Sequence, residues 1–309
     1  MVQSSPSPPI LRIGSRGSPL ALVQARAVQE RLVAAGLEAD RIEIVPIRTT
    51  GDAVPGALAD AGGKGLFTKE IEKALLGRRI DLAVHSSKDL PTLLPAGLML
   101  AGFLPREDPR DAFISRKAKS LQELAAGAVV GTASPRRQAL VRRMRPDLKV
   151  VTLRGNVETR LRKLEAGEVD ATLLAIAGLK RLGLLSAATA IMEADEFLPA
   201  VGQGAIGIEI RADDDATRAL IAKINDIDTA TALTTERAFL DVLDGSCRTP
   251  IGGYAQVRGD KVRFRGIIVT PDGSAAVEVA RAGSRAEAAE LGADAGRELR
   301  SHAGADFFV

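Results

Sequence analysis

At 309 residues the chain can hold two or three domains of ordinary size. A net charge of +3 and a scarcity of aromatics (no Trp, one Tyr) argue against a nucleic-acid binder built on base stacking. No apolar run reaches the length of a membrane span, and residues 1–9 are Ser/Pro-rich without a basic or hydrophobic core, so they read as a disordered tail rather than a signal.

Residues 11–15 read as a short strand. Ser18 followed by Pro19 matches an N-cap with proline at the first helical position. The helix then carries Leu22, Val23, Ala27, Val28 and Leu32 at helical spacing, and Gly36 closes it. Residues 41–49 form an apolar alternating strand, 51–65 a long Gly-rich loop, 68–76 a helix and 82–85 a strand. This β-α-β-α-β order predicts a parallel sheet covered by helices. The pattern restarts after the proline-bracketed crossing Pro105-Arg106-Glu107-Asp108-Pro109, with strands at 111–115, 129–132, 149–153 and 171–175. Strand 206–211 is expected to return to the first unit. Beyond residue 226 a helix (230–240), a cysteine-bearing loop, a hairpin turning at Arg258-Gly259-Asp260, a strand at 276–279 and a helix from Ser284 make a small α+β domain. The predicted architecture is therefore α/β. Domain 1 spans 10–104 with 205–222, domain 2 spans 110–198, and domain 3 spans 227–309.

Polar residues gather where predicted strands end, the edge at which open α/β sheets bind ligands. Four segments fit: Gly14-Ser15-Arg16-Gly17-Ser18, His85-Ser86-Ser87-Lys88-Asp89-Leu90-Pro91, Gly131-Thr132-Ala133-Ser134-Pro135-Arg136-Arg137-Gln138 and Leu153-Arg154-Gly155-Asn156-Val157-Glu158-Thr159-Arg160. Three of them set Arg at or near a helix N-terminus, where unpaired N–H groups and guanidinium forks together suit carboxylates or phosphates. Each such Arg alone could be a solvated surface charge; together they favour a shared anionic ligand. Gly62-Gly63-Lys64-Gly65 lacks the Walker pattern of a nucleotide loop. His85, at the apolar end of a strand, reads as a satisfied core histidine.

The single cysteine, Cys247, lies in Asp244-Gly245-Ser246-Cys247-Arg248-Thr249-Pro250, a loop with a cation beside the thiol. Both features favour the thiolate. With no second cysteine it makes no internal disulfide and no cysteine-based zinc site, and no metal is expected. It is either inert or a single covalent attachment point.

Taken together the motifs resemble the porphobilinogen deaminase family. They are Arg16-Gly-Ser-Pro-Leu-Ala, Gly-Gly-Lys64-Gly-Leu-Phe67, His85-Ser-Ser-Lys88-Asp89-Leu-Pro, Gly131-Thr-Ala-Ser134-Pro-Arg136-Arg137, Leu-Arg154-Gly-Asn-Val, Gly178-Leu-Lys-Arg181-Leu-Gly, Val201-Gly-Gln-Gly and Gly-Ser-Cys247, in the family's order over nearly the whole chain. Gly17, Ser87 and Pro135 depart from the residues usual there. The resemblance implies two tandem periplasmic-binding-protein-like α/β domains plus the C-terminal α+β domain. It also implies a cytoplasmic, monomeric transferase that acts without nucleic acid or membrane. Four porphobilinogen molecules would be condensed, with loss of ammonia, on a dipyrromethane cofactor joined to Cys247 by a thioether, and water would release hydroxymethylbilane. Each pyrrole carries an acetate and a propionate, which gives the arginines a purpose. On this pattern Asp89 is the catalytic carboxylate, aided by Lys88. Cofactor contacts fall to Lys88, Asp89, Ser134, Arg136, Arg137, Arg154 and Arg160. Substrate contacts fall to Arg16, Ser18, Lys64, Phe67, Arg154, Arg160 and Arg181. The rival reading is a two-lobed solute-binding protein for an anionic ligand.

Overall fold

The computed structural model describes residues 11–49, 68–243 and 249–308. Lys64, Phe67 and Cys247 lie outside the described residues. The chain divides into two compact units, Met1–Pro105 with Ile206–Ile227, and Arg106–Ala205 with Asp228–Val309.

In chain order the first unit contains β1 (Leu11–Arg16), α1 (Pro19–Ala34), β2 (Ile42–Ile47), α2 (Lys69–Leu76), β3 (Leu82–Ser86) and β4 (Leu98–Phe103). The second contains β5 (Asp111–Ser115), β6 (Val129–Gly131), α3 (Pro135–Met144), β7 (Lys149–Val151), α4 (Val157–Glu165), β8 (Ala171–Ala175), α5 (Ile176–Arg181) and β9 (Ala190–Met192). The chain then re-enters the first unit as β10 (Ile206–Arg211) and α6 (Asp215–Ala222). It closes with α7 (Ile227–Val242), β11 (Ile251–Arg258), β12 (Lys261–Val269), β13 (Ala276–Ser284) and α8 (Ala288–His302).

Within the first unit the strands run in the order β2-β1-β3-β10-β4. The predicted all-parallel sheet is corrected here to a mixed one: β1 pairs with β2 and β3 in parallel, whereas β10 runs antiparallel to both β3 and β4. The reason is connectivity, because β10 comes from a distant part of the chain and is not bound to a right-handed crossover. All six residues of β10 are buried, as befits a strand covered on both faces. The second unit repeats the pattern as β7-β6-β8-β5-β9, with a parallel trio and two antiparallel partners for β5. Its other sheet, β11-β12-β13, is wholly antiparallel and turns between its first two strands at Gly259, whose φ of 59° suits glycine.

Helix starts follow the sequence signals. Ser18 and Ser134 accept hydrogen bonds from the backbone N–H groups of Ala21 and Arg137, each followed by proline in the first turn. In the first unit Ile13, Val28, Leu32, Leu82, Ile208 and Ile210 form one core. In the second unit Phe113, Leu140, Leu173 and Phe197 pack with Ile267 and Val269 of β12, so the antiparallel sheet shares a core with the mixed one. The same unit buries Glu236 of α7, which accepts from Arg106 Nη1 at 2.5 Å and from the backbone N–H groups of Gly202 at 2.7 Å and Ala255 at 2.8 Å. A buried carboxylate with this many donors is satisfied, and it ties three chain segments together.

Candidate active site

In the first unit β1 and β3 are parallel neighbours in register Ile13↔Leu82, so their carboxyl ends reach the same sheet edge. Arg16 ends β1, Ser18 caps α1, and Lys88 and Asp89 lie in a single 3-10 turn that follows β3. Arg16, Ser18, His85 and Asp89 line one pocket, with Gln24, Thr68 and Ser86 also in its wall. Lys88 is exposed on the same turn. This brings a carboxylate, a guanidinium and a helix N-terminus to one concavity. His85 Nε2 faces Glu209 Oε2 at 3.0 Å, and both side chains are buried.

In the second unit Ser134 caps α3 at the carboxyl end of β6. Arg136 and Arg137 follow it, and each is only 4% exposed. Arg136 Nη2 donates to Asp111 Oδ2 at 2.7 Å and Nη1 to the Leu198 carbonyl at 2.8 Å, while its guanidinium sits 5.5 Å from the centre of the Phe197 ring. Arg137 donates to Asp111 Oδ1 through Nε at 3.0 Å and Nη2 at 2.6 Å, and to the Leu173 carbonyl at 2.8 Å. Burial alone would raise the Asp111 carboxyl, but the two guanidiniums outweigh it and hold it at about 2. The terminal nitrogens of both forks are thus committed to the protein's own groups, and of the two only Arg136 Nε is buried without a partner among the described residues.

Arg154 differs. It stands beyond the end of β7 in a turn where Gly155 adopts a φ of 123°, and its Nη1 is buried without a hydrogen-bond partner among the described residues. A buried guanidinium N–H without an acceptor is costly. An anionic group accepting from it would remove that cost. Arg160 lies on α4, whose N-cap Asn156 accepts from the Thr159 N–H at 2.8 Å. Arg181 ends α5 and donates to the Gly204 carbonyl at 2.6 Å. This donor set, rich in guanidinium, fits a ligand bearing several carboxylates.

Asp111 and Glu209 were not singled out from the sequence, and Gln203 entered only as part of the Val201-Gly-Gln-Gly motif. Asp111 opens the mostly apolar run Asp111-Ala-Phe-Ile-Ser115 and Glu209 interrupts Ile206-Gly-Ile-Glu-Ile210, so each signalled a carboxylate that burial obliges to find a partner.

A family model for porphobilinogen deaminase, dipyrromethane cofactor-binding domain, matches residues 11–219, and one for the C-terminal domain of porphobilinogen deaminase matches residues 230–301. The chain belongs to the porphobilinogen deaminase family. A porphobilinogen deaminase of Nitrobacter hamburgensis is 63% identical over 311 aligned positions, covering 100% of this chain and 98% of the relative. One from Nitrobacter winogradskyi is 62% identical with the same coverage. Among solved structures, a methionine-binding protein is 16% identical with a TM-score of 0.44, covering 76% of this chain and 95% of that one. At that score the fold is read from the sheets themselves. The chain is a transferase of tetrapyrrole biosynthesis that condenses four porphobilinogen molecules head to tail, with loss of ammonia, on a dipyrromethane primer and releases hydroxymethylbilane by hydrolysis. The solute-binding reading gives way to it.

Proposed function

We propose that Asp89 is the carboxylate on which this condensation turns, and that Cys247 anchors the dipyrromethane through a thioether. The observation that carries the reading is the pocket shared by Asp89, Arg16 and Ser18 at the carboxyl edge of the first sheet. When bound, the dipyrromethane supplies the nucleophilic pyrrole carbon to which the first substrate is joined. The protein's own groups do the rest.

Arg16, beside the N-terminus of α1, binds a substrate acetate or propionate through paired N–H donors. Asp89 stabilises positive charge that develops on the substrate's ring nitrogen as ammonia departs and as the new bond forms. A fixed anion does this without reorganising solvent, and the same oxygen can accept a proton. Lys88 assists from the same turn. Arg154 is the strongest candidate to hold a cofactor carboxylate, because its buried Nη1 has a donor to offer. Arg160 and Arg181 extend the set along the chain. Arg136 and Arg137 serve it by shaping the α3 N-terminus around Ser134, with Asp111 as their anchor. Lys64 and Phe67 are assigned to substrate contact on family pattern, as is the thioether at Cys247. We assign domain boundaries at 10–104 with 205–222, 110–198 and 227–309, each carrying one sheet, and propose a cytoplasmic monomer. No helix among the described residues is long and apolar enough to cross a membrane.

Purified Asp89→Asn is the test. It should retain the covalent adduct by mass and lose turnover by about a hundredfold or more, the scale of a lost charge-stabilising or proton-transfer group. Near-normal turnover in that variant would remove Asp89 from the chemistry.

A further inference from the structure

The pocket wall contains a second titratable group that the reaction as described leaves idle. His85 sits at the penultimate position of β3, four residues before Asp89, and is 5% exposed. Its Nε2 is engaged by Glu209 Oε2 at 3.0 Å, from the adjacent strand β10. Glu209 is fully buried, and its other oxygen has no hydrogen-bond partner among the described residues. A carboxylate oxygen can only accept, so Nε2 carries the hydrogen and Nδ1 becomes the basic nitrogen of the neutral ring. That arrangement, a histidine oriented by a buried carboxylate, is more than a polar core residue needs.

The other charged groups facing this ring come from three elements. Glu72 on α2 is also buried, and Arg16 and Asp89 share the pocket wall with His85. Burial lifts the Glu72 carboxyl above its ordinary range; Thr68 and His85 partly oppose this, and Glu209 and Glu70 add to it. Glu209, in hydrogen-bond contact with Nε2, is the carboxylate that orients the ring.

We propose that His85, oriented by Glu209, is a proton-relay residue of the Asp89 pocket, holding the proton released by each ring addition until ammonia takes it. In each addition the aminomethyl C–N bond breaks and ammonia leaves with the electron pair. The α-carbon of the acceptor ring supplies the pair for the new C–C bond, and its C–H bond then returns a pair to that ring. One proton is thus released, and ammonia takes up one. Asp89 accepts it first and His85 Nδ1 next, which restores the Asp89 carboxylate for the following addition. The relay acts through Asp89 and rests on that residue's proposed role.

Only two histidines, His85 and His302, are present, which makes the ring directly observable. The holoenzyme labelled with 15N-histidine, with His302→Gln to assign the signals, should show His85 protonated at Nε2 and bare at Nδ1 in its neutral form. Glu209→Gln should keep the adduct by intact mass and leave KM within about twofold. It should lower kcat by tenfold or more, on the low side of general acid–base effects. The tautomer signature of the His85 ring and the shape of the kcat pH profile should both change, since Gln no longer offers a carboxylate to Nε2. A His85 ring protonated at Nδ1 in the wild type would overturn the proposal, whatever Asp89→Asn does. So would a Glu209→Gln enzyme with an unchanged kcat pH profile, or one that loses adduct, thermal stability and rate together, the mark of a merely structural role.

Discussion

Replacing Asp111 with alanine should be among the most damaging single changes away from the reacting groups. Its carboxylate is fully buried and receives Arg136 Nη2 at 2.7 Å, Arg137 Nε at 3.0 Å and Nη2 at 2.6 Å, and Gln203 Nε2 at 2.9 Å. Truncation leaves two guanidiniums buried without their counter-charge, a loss of about 3–5 kcal/mol. For a unit of this size each kcal/mol moves the midpoint by roughly 2–4 °C, so Tm at pH 7 should fall by about 6–20 °C. Asp111→Asn keeps an acceptor but not the charge and should fall in between. The pH dependence adds a second check. The Asp111 carboxyl is depressed from 3.8 to about 2, so its contribution is complete above the unfolded value and is lost as pH falls through both. At roughly 1.36 kcal/mol per pKa unit this is on the order of 2–3 kcal/mol. Scanning calorimetry of wild type and variants between pH 7 and about pH 2.5 should show the gap to Asp111→Asn narrowing below about pH 4. An Asp111→Ala protein melting within about 2 °C of wild type at pH 7 would refute the reasoning.

Arg154→Leu should leave thermal stability within about 1 kcal/mol, because it removes a buried N–H without an acceptor, yet it should impair loading of the dipyrromethane. Intact mass and a melting curve check it together, and a fully loaded, active variant contradicts the assignment. Gly292→Ala should destabilise the protein by about 1–3 kcal/mol, because a Cβ there would overlap the Thr235 carbonyl oxygen where α8 crosses α7. Urea titration checks it, and Gly304→Ala, whose Cβ meets nothing within 4 Å, should be silent in the same experiment.

Local signals carried most of the fold. Ser18-Pro19 and Ser134-Pro135 announced their helices because the cap and the first-turn proline act within three residues. Strands 111–115, 171–175 and 206–211 stood out as largely apolar runs, and all their residues but Ala175 are buried. Two strands and a helix went unread: β4 is half-buried, β9 has three residues, and α6 is a two-turn helix after a tight turn. The direction of β10 was beyond the sequence, since strand polarity is set by which distant partner it meets. At the site, the positions of Arg16, Asp89 and Arg154 at strand ends followed from the α/β pattern. The commitments of Arg136 and Arg137 did not, because nothing local reveals that Asp111, 25 and 26 residues away in sequence, takes up both. The partner of Glu209 was hidden for the same reason, His85 lying on a neighbouring strand.

The central claim is that Cys247 serves as a once-alkylated anchor while the chemistry occurs at the pocket of Asp89. Intact mass under denaturing conditions tests it most directly. The wild type should carry an excess equal to two linked pyrroles, and Cys247→Ser should carry none and be inactive. An unmodified wild type that turns over porphobilinogen would contradict the account.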